Sequence, residues 1–160
     1  MMKVLVISDS HGSLENVKKV IKSIGKIDLV IHLGDIIGQD DTLRSMCSCP
    51  VKIVKGNCDF VTDNQITEIF NLGKNKVLAT HGHYYSVDWG LEKLYFAAQE
   101  GQCNIAMYGH THIPEISEQG DVTIINPGSI TRPRQLNHRP SYIIMKIDKD
   151  EKVHFAINYL

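Results

Sequence analysis

The chain has 160 residues, 42% of them hydrophobic, which is enough for one sizeable core and too few for two ordinary enzyme domains. With 17 Lys and Arg against 18 Asp and Glu, its net charge of −1 provides no basic field to gather nucleic acid or an anionic membrane. No apolar run reaches the length of a signal peptide or a membrane span, and the 4 cysteines lack a disulfide-framework spacing. We therefore predict a single domain, residues 1–160, located in the cytoplasm, with no membrane partner and no strong nucleic-acid signal.

The first sixty residues predict alternating strands and helices. An apolar, β-branched run predicts a strand over Lys3 to Ser8, and apolar residues at helical spacing follow, with Ser13 as the N-cap. The alternation continues with a strand over Asp28 to Leu33, a short polar helix over Asp41 to Cys47 and a strand over Val51 to Lys55. This order is typical of parallel βαβ units.

The remaining residues predict a second, β-rich part. Strands are expected over Gln65 to Phe70 and Val77 to Thr80 with a turn around Gly73, then a helix over Asp88 to Gln99 and a strand over Ile105 to Tyr108. The end of the chain predicts antiparallel strands over Val122 to Asn126, Tyr142 to Ile147 and Val153 to Asn158. The fold class is therefore expected to be α/β, with two sheets packed as a β-sandwich and helices outside.

Side chains of the metal-binding type follow the apolar runs, at the points where the predicted strands end. They are Asp9 and His11, Asp35, Asn57 and Asp59, His81 and His83, and His110 and His112. In open α/β sheets the ligand site lies beyond the carboxyl ends of the strands, so loops that leave parallel strands converge. We expect these side chains to form one site.

Each carboxylate or amide also has an ordinary structural explanation when taken alone. Asp9 could cap the helix that starts near Ser13, Asp35 could belong to a Gly-Asp turn, and Asn57 could form an Asx-turn. For Asp35, its place after a predicted parallel strand favours metal binding over an ordinary turn. It follows the second parallel strand beside the first, where one carboxylate can bridge two cations about 3.5–4 Å apart.

Paired histidines are harder to explain as structural residues. In His81-Gly82-His83 and His110-Thr111-His112 the intervening residue lets both imidazoles point toward one cavity, which favours metal binding. His32 lies within an apolar strand and is expected to be a buried support for the site, whereas His138 and His154 are expected at the surface. The pair Cys47 and Cys49 is either a soft-metal pair or, as we favour, two reduced thiols near a loop.

In chain order, these motifs resemble those of the calcineurin-like metallophosphoesterase superfamily, most closely its small bacterial and archaeal phosphodiesterase branch. The motifs are Asp9-x-His11, Gly34-Asp35, Gly56-Asn57-x-Asp59, His81-Gly82-His83 and Gly109-His110-x-His112. The resemblance implies a β-sandwich flanked by helices and a centre of two divalent metal ions. It also implies one metal held by Asp9, His11, Asp35 and His112, and a second held by Asp35, Asn57, His81 and His110.

Cys58 departs from the pattern of many phosphatases in this superfamily, which have histidine at that position to help the leaving group. The small phosphodiesterase branch commonly has this cysteine. A thiol is a weaker donor than imidazolium, so activated esters or diesters are more plausible substrates than alkyl monoesters.

The resemblance extends to the loop Asn126-Pro127-Gly128-Ser129, for which plain turn chemistry is the favoured interpretation. Arg132 and Arg134 follow it and either contact a phosphate or are solvated at the surface. His83 has no ligand role in the implied scheme, and is either a proton donor or phosphate contact, or purely structural.

The sequence therefore predicts a metal-dependent phosphodiesterase that hydrolyses a small phosphate ester by attack of a metal-bridging hydroxide. The residues predicted to take part in catalysis are Asp35, Asn57, Cys58, Asp59, His81 and His83. The expected metal is Mn²⁺, with Fe, Zn²⁺ or Ni²⁺ as alternatives. A homodimer or higher oligomer is compatible with the resemblance. The rival interpretations are a protein-interaction module that has lost its chemistry on the same fold, and a metal-storage or sensing protein.

Overall fold

The computed structural model describes residues 1–160 and contains ten strands and three α-helices. In chain order they are β1 (Met2–Ile7), α1 (Glu15–Ile24), β2 (Leu29–His32), α2 (Asp40–Met46), β3 (Val51–Ile53), β4 (Thr67–Leu72), β5 (Asn75–Thr80), α3 (Glu92–Glu100), β6 (Ile105–Met107), β7 (Pro114–Gln119), β8 (Val122–Pro127), β9 (Ser141–Ile147) and β10 (Val153–Tyr159). A single 3₁₀ turn at His83–Tyr85 lies between β5 and α3. None of the helices combines the length and apolar character needed to cross a lipid bilayer.

The strands form two five-stranded sheets. The first sheet has the order β10-β9-β1-β2-β3 and the second has the order β4-β5-β6-β8-β7. Within each sheet three neighbouring strands are parallel, namely β1, β2 and β3 in the first and β5, β6 and β8 in the second. The strands β9 and β10, and β4 and β7, pair antiparallel with their neighbours. In each sheet, the carboxyl ends of the three parallel strands therefore lie side by side at one edge.

Apolar residues on both faces of the sheets produce four layers: helices α1 and α2, the first sheet, the second sheet, and helix α3. In β1, Val4 and Val6 face the second sheet, whereas Leu5 and Ile7 face α1 and α2, so the strand is a continuous buried run. Helix α3 covers the other side of the second sheet through Leu94 and its neighbours. The predicted fold class, a two-sheet sandwich with helices outside, is confirmed.

Several local predictions are wrong. Helix α1 begins at Glu15 after Leu14, with no side-chain cap, so Ser13 is not the N-cap. Helix α3 begins at Glu92, because the 3₁₀ turn and the following loop occupy the residues before it. Strand β7 was not predicted, and β8 pairs parallel with β6 as well as antiparallel with β7.

Candidate metal centre

Loops from both sheets meet where the parallel strands end. Asp9 and His11 follow β1, Asp35 follows β2, Asn57 follows β3, His81 follows β5, and His110 and His112 follow β6. These side chains lie in two adjacent groups, with Asp35 between them.

Asp9, His11 and His112 form the first group. Nε2 of His112 lies 3.1 Å from Oδ1 of Asp9 and 3.1 Å from Nε2 of His11. Nδ1 of His112 lies 2.7 Å from the carbonyl oxygen of Arg132, which can only accept, so Nδ1 carries the proton. In the neutral ring, Nε2 therefore directs a lone pair at the Asp9 oxygen.

Asn57, His81 and His110 form the second group. Oδ1 of Asn57 lies 3.0 Å from Nε2 of His81 and 3.0 Å from Nδ1 of His110. His81 donates its Nδ1–H to the carbonyl of Leu33 over 2.6 Å, so in the neutral ring the Nε2 lone pair is directed at the amide oxygen. The lone pairs of Asn57 and His81 thus converge on the same space.

Asp35 lies between the two groups. Its Oδ2 is 3.8 Å from Nε2 of His11 in the first group and 3.5 Å from Nε2 of His81 in the second. Its Oδ1 accepts the backbone N–H of Cys58 at 2.8 Å, which orients the carboxylate. One oxygen of Asp35 therefore faces both groups, as a bridging ligand requires. Oδ1 of Asp9 also lies 3.9 Å from Nε2 of His11 and 3.9 Å from Nε2 of His81, so the two groups share this carboxylate as a neighbour.

The backbone at this site is left-handed at an unusual number of non-glycine residues. The φ angles of Asp9, His11, Asp35, His110 and His112 are 56°, 45°, 56°, 68° and 61°. Each such residue costs about 1 kcal/mol relative to right-handed geometry. Strain of this kind clusters at functional sites, where the surrounding structure holds it.

Asp59 holds the backbone beneath Asp35. Its Oδ2 accepts the N–H groups of Asp35 and Gly56, both at 2.8 Å, and its Oδ1 accepts the N–H of Ile37 at 2.7 Å. Both oxygens of Asp59 therefore face the backbone and not the imidazoles.

The turn between β8 and β9 supports the site from the other side. The hydroxyls of Ser129 and Thr131 donate to the carbonyl of Asp9 at 2.8 and 2.9 Å. Asn126 donates through Nδ2 to the carbonyl of Gly109, at 2.9 Å. The loop Asn126 to Ser129 thus braces the backbone that carries the first and last site residues.

Buried negative charge dominates the electrostatics. Burial opposes the ionisation of Asp9, yet its interactions with His112 and His81 lower its pKa below the ordinary value. Burial likewise opposes the ionisation of Asp35, whose pKa is lowered by the protonated form of His81 and by the N–H of Cys58. Burial opposes protonation of His81, yet Asp35 and Asp9 in turn raise its pKa. Neither carboxylate pairs with Lys or Arg, so imidazoles are their only titratable partners at salt-bridge distance.

An unpartnered oxygen tests whether these residues fit a cation. Oδ1 of Asp9 is buried and, with His112 neutral and its proton on Nδ1, has no hydrogen-bond donor. A buried acceptor left in this way costs about 1–3 kcal/mol, and more when it is charged. Carboxylate, amide and imidazole donors without thiolate suit Mn²⁺, Fe, Zn²⁺ or Ni²⁺. The residues fit divalent metal ions.

Cys58 and His83 adjoin the two groups. The thiol of Cys58, Nε2 of His11 and a carboxylate oxygen of Asp35 are potential ligand atoms within 4.8 Å of one another. Burial and the Asp35 carboxylate raise the pKa of Cys58 to about 11, so the thiol is neutral at pH 7. The ring of His83 lies 5.4 Å from that of His81 and 6.1 Å from that of His110.

Other predicted residues lie outside the two groups. Arg132 and Arg134 are exposed, and each contacts His112 through its backbone. Cys47 and Cys49 belong to none of the metal-ligating groups, and burial raises the pKa of Cys47 to about 11. One contact was missed by sequence reasoning: Oδ2 of Asp88 lies 2.8 Å from Nε2 of His110. A lone aspartate before a helix gives no signal of such a role.

The fold and this site define a phosphoesterase of the metal-dependent kind. The profile of the calcineurin-like phosphoesterase superfamily domain matches residues 2–150, and the chain belongs to this family. The probable metallophosphoesterase YsnB of Bacillus subtilis is 36% identical over 93% of this chain and 86% of its own length. The phosphodiesterase YfcE of Escherichia coli is 28% identical over 84% of this chain and 82% of its own length.

Solved structures give the same picture of the fold. A predicted phosphoesterase from Streptococcus pneumoniae superimposes with a TM-score of 0.81 at 31% identity, covering 99% of this chain and 98% of that one. Vps29 from Entamoeba histolytica, in complex with Zn²⁺, superimposes with a TM-score of 0.79 at 26% identity, covering 99% of each chain.

Proposed function

We propose that the protein is a phosphodiesterase with a two-metal centre, acting on a small phosphodiester. One metal would be held by Asp9, His11, Asp35 and His112, and the other by Asp35, Asn57, His81 and His110. The observation that carries the proposal is the position of Asp35, whose Oδ2 faces His11 at 3.8 Å and His81 at 3.5 Å. When bound, the metal ions lower the pKa of water to supply a hydroxide nucleophile and neutralise charge on the phosphoryl oxygens.

The protein residues have supporting tasks in this proposal. His81 and His112 keep their Nδ1–H groups bound to backbone carbonyls, so both rings stay oriented through the reaction. Asp59 holds the Asp35 backbone through its own carboxylate and is a positioning residue. His83, beside His81 and His110, is proposed to contact the phosphate or donate a proton.

The neutral thiol of Cys58 supports a diester as the substrate. A thiol is a weaker donor than imidazolium and carries no positive charge, so a poor leaving group receives little help. Homologues named phosphodiesterase are consistent with this preference. We also propose Mn²⁺ as the metal, while the cytoplasmic location, the single domain and homo-oligomerisation stay predictions.

The test is hydrolysis of a chromogenic aryl phosphodiester and the matching monoester with added Mn²⁺. The wild type should cleave the diester, and Asp35→Asn and His81→Ala should each lose more than about 100-fold in rate because a metal ligand is removed. His154→Ala, a change of an exposed histidine, is the matched control and should retain the rate. If the wild type with Mn²⁺ is no faster than Asp35→Asn, the catalytic proposal fails and the interaction-module alternative is favoured.

A separate variant tests the proposed preference for diesters over monoesters. Cys58→His should raise monoester turnover relative to diester turnover, because imidazolium is the better donor to a leaving alkoxide. A monoester rate severalfold above the diester rate in the wild type, or an unchanged ratio in Cys58→His, would contradict the argument from the thiol.

A further inference from the structure

We propose that Asp88 is a positioning residue for the second metal group, acting through His110. Its Oδ2 lies 2.8 Å from Nε2 of His110, and the opposite ring nitrogen, Nδ1, lies 3.0 Å from Oδ1 of Asn57. An ionised carboxylate only accepts, so Asp88 draws the ring proton to Nε2 and leaves the Nδ1 lone pair directed at the proposed metal position.

His110 differs in this respect from the other oriented histidines of the site. His81 and His112 each donate Nδ1–H to a backbone carbonyl and direct Nε2 inward. His110 donates through Nε2 to a side chain and directs Nδ1 inward. The tautomer of His110 therefore depends on a residue that can be replaced without changing the backbone.

The loop that carries Asp88 is anchored on both sides of it. Val87 is buried in the core beneath α3 together with Tyr108, two residues before His110. Trp89 donates its backbone N–H to the carbonyl of Ser86 at 2.9 Å, which closes a turn around Asp88. The carboxylate is thus held opposite His110 although its side chain is 49% exposed.

This inference rests on the proposed function, because it assigns Asp88 to one of the two metal positions of that site. Carboxylates that accept the distal N–H of a metal-binding histidine typically change metal affinity by about 10- to 100-fold when they are removed. The carboxylate of Asp88 bonds to His110 and to no other site residue, so the effect should be confined to the position that includes Asn57, His81 and His110.

The experiment is a calorimetric titration of the metal-free protein with Mn²⁺, which resolves two stepwise affinities. Asp88→Ala should weaken one affinity by about 10- to 100-fold and leave the other unchanged, and Asp88→Asn, which keeps an acceptor oxygen, should weaken the same affinity less. Asp148→Ala is the matched control, since Asp148 makes the same contact with the remote His154, at 3.1 Å, and it should change neither affinity.

The outcomes separate this inference from the proposed function. If the wild type binds two Mn²⁺ and cleaves the diester while Asp88→Ala keeps both affinities, or loses both equally, the positioning role is overturned alone. If the wild type binds fewer than two Mn²⁺ and cleaves nothing, both proposals fail. Equal thermal midpoints for the metal-free wild type and Asp88→Ala exclude loss of folding as the cause.

Discussion

His32 is a buried residue behind the candidate metal centre, and its burial sets its charge state. Its Nδ1 accepts the N–H of Gly34 at 3.2 Å and its Nε2 lies 2.9 Å from the hydroxyl of Ser10. Burial lowers the pKa of His32 from 6.5 to about 4. Protonation would remove the acceptor for Gly34 N–H, two residues from the end of β2, so the folded protein needs this ring neutral.

The free energy of unfolding is therefore expected to depend on pH through His32. In the unfolded chain the imidazole takes up a proton below pH 6.5, whereas in the folded chain it does so only below about 4. Stability from this group is present above pH 6.5 and is lost as the pH falls to about 4, by about 3 kcal/mol in total. Urea unfolding of the metal-free protein at pH values between about 4 and 7 measures this loss.

The control for this expectation is His32→Asn, which keeps an acceptor near Gly34 N–H and cannot be protonated. Between pH 4 and 6.5 its stability should fall less steeply than that of the wild type, by about 1 kcal/mol per pH unit. Parallel curves for the two proteins would show that His32 does not titrate with folding.

At the scale of elements, the loops after β2 and β3 pack closely against each other where Gly56 meets Asp35. A Cβ atom at Gly56 would overlap the backbone nitrogen and Oδ1 of Asp35. Gly56→Ala should therefore push the two loops apart, at a cost of about 1–3 kcal/mol in stability. Because Asp35 is the proposed bridge, diester hydrolysis should fall by about 100-fold.

Gly25→Ala is the matched control for the glycine contact. Gly25 follows α1 with φ of +70°, and a Cβ atom there would have no neighbour within 4 Å. Its φ of +70° and ψ of −144° form a backbone conformation that essentially only glycine adopts, so its replacement costs about 1–3 kcal/mol of backbone strain without a steric contact. The hydrolysis rate of Gly25→Ala should equal that of the wild type. A Gly56→Ala protein that retains full activity would show that the two loops tolerate separation.

The elements that could be predicted from the sequence are those with strong apolar patterns. Strands β1, β2 and β6 are buried runs, and their positions agree with prediction. Strand β7 was missed because it begins at Pro114 and presents mostly polar residues as an edge strand, with Ile116 38% exposed. The parallel pairing of β6 with β8 is a long-range choice that no local pattern encodes.

The candidate site could likewise be predicted from the sequence only in part. Residue types at strand ends predicted which side chains converge, because parallel strands bring their carboxyl ends together. The left-handed backbone at Asp9 and His110, and the proton on Nε2 of His110, depend on tertiary contacts from distant loops. Spacing along the chain carries no information about either.

At the scale of the whole molecule, the candidate metal centre lies across the junction of the two sheets. Asp9, Asp35 and Asn57 follow strands of the first sheet, whereas His81 and His110 follow strands of the second. Direct contacts already cross the junction here, as when His81 donates to the carbonyl of Leu33. Metal ions bound by ligands from both sheets would bind the folded state and not the unfolded chain.

Binding of that kind should raise the thermal midpoint. At a free concentration of about 100 times the dissociation constant, each bound Mn²⁺ adds about 2.7 kcal/mol to the free energy of unfolding. For a chain of this size that corresponds to a midpoint higher by about 5–10 °C per site. Thermal unfolding in chelator and in Mn²⁺ measures the shift, with His154→Ala as a control that should match the wild type. Asp35→Asn should show a much smaller shift, because the proposed bridging ligand, which faces both groups, is changed. An equal shift in Asp35→Asn would mean that the stabilising metal binds elsewhere on the molecule and does not join the two sheets.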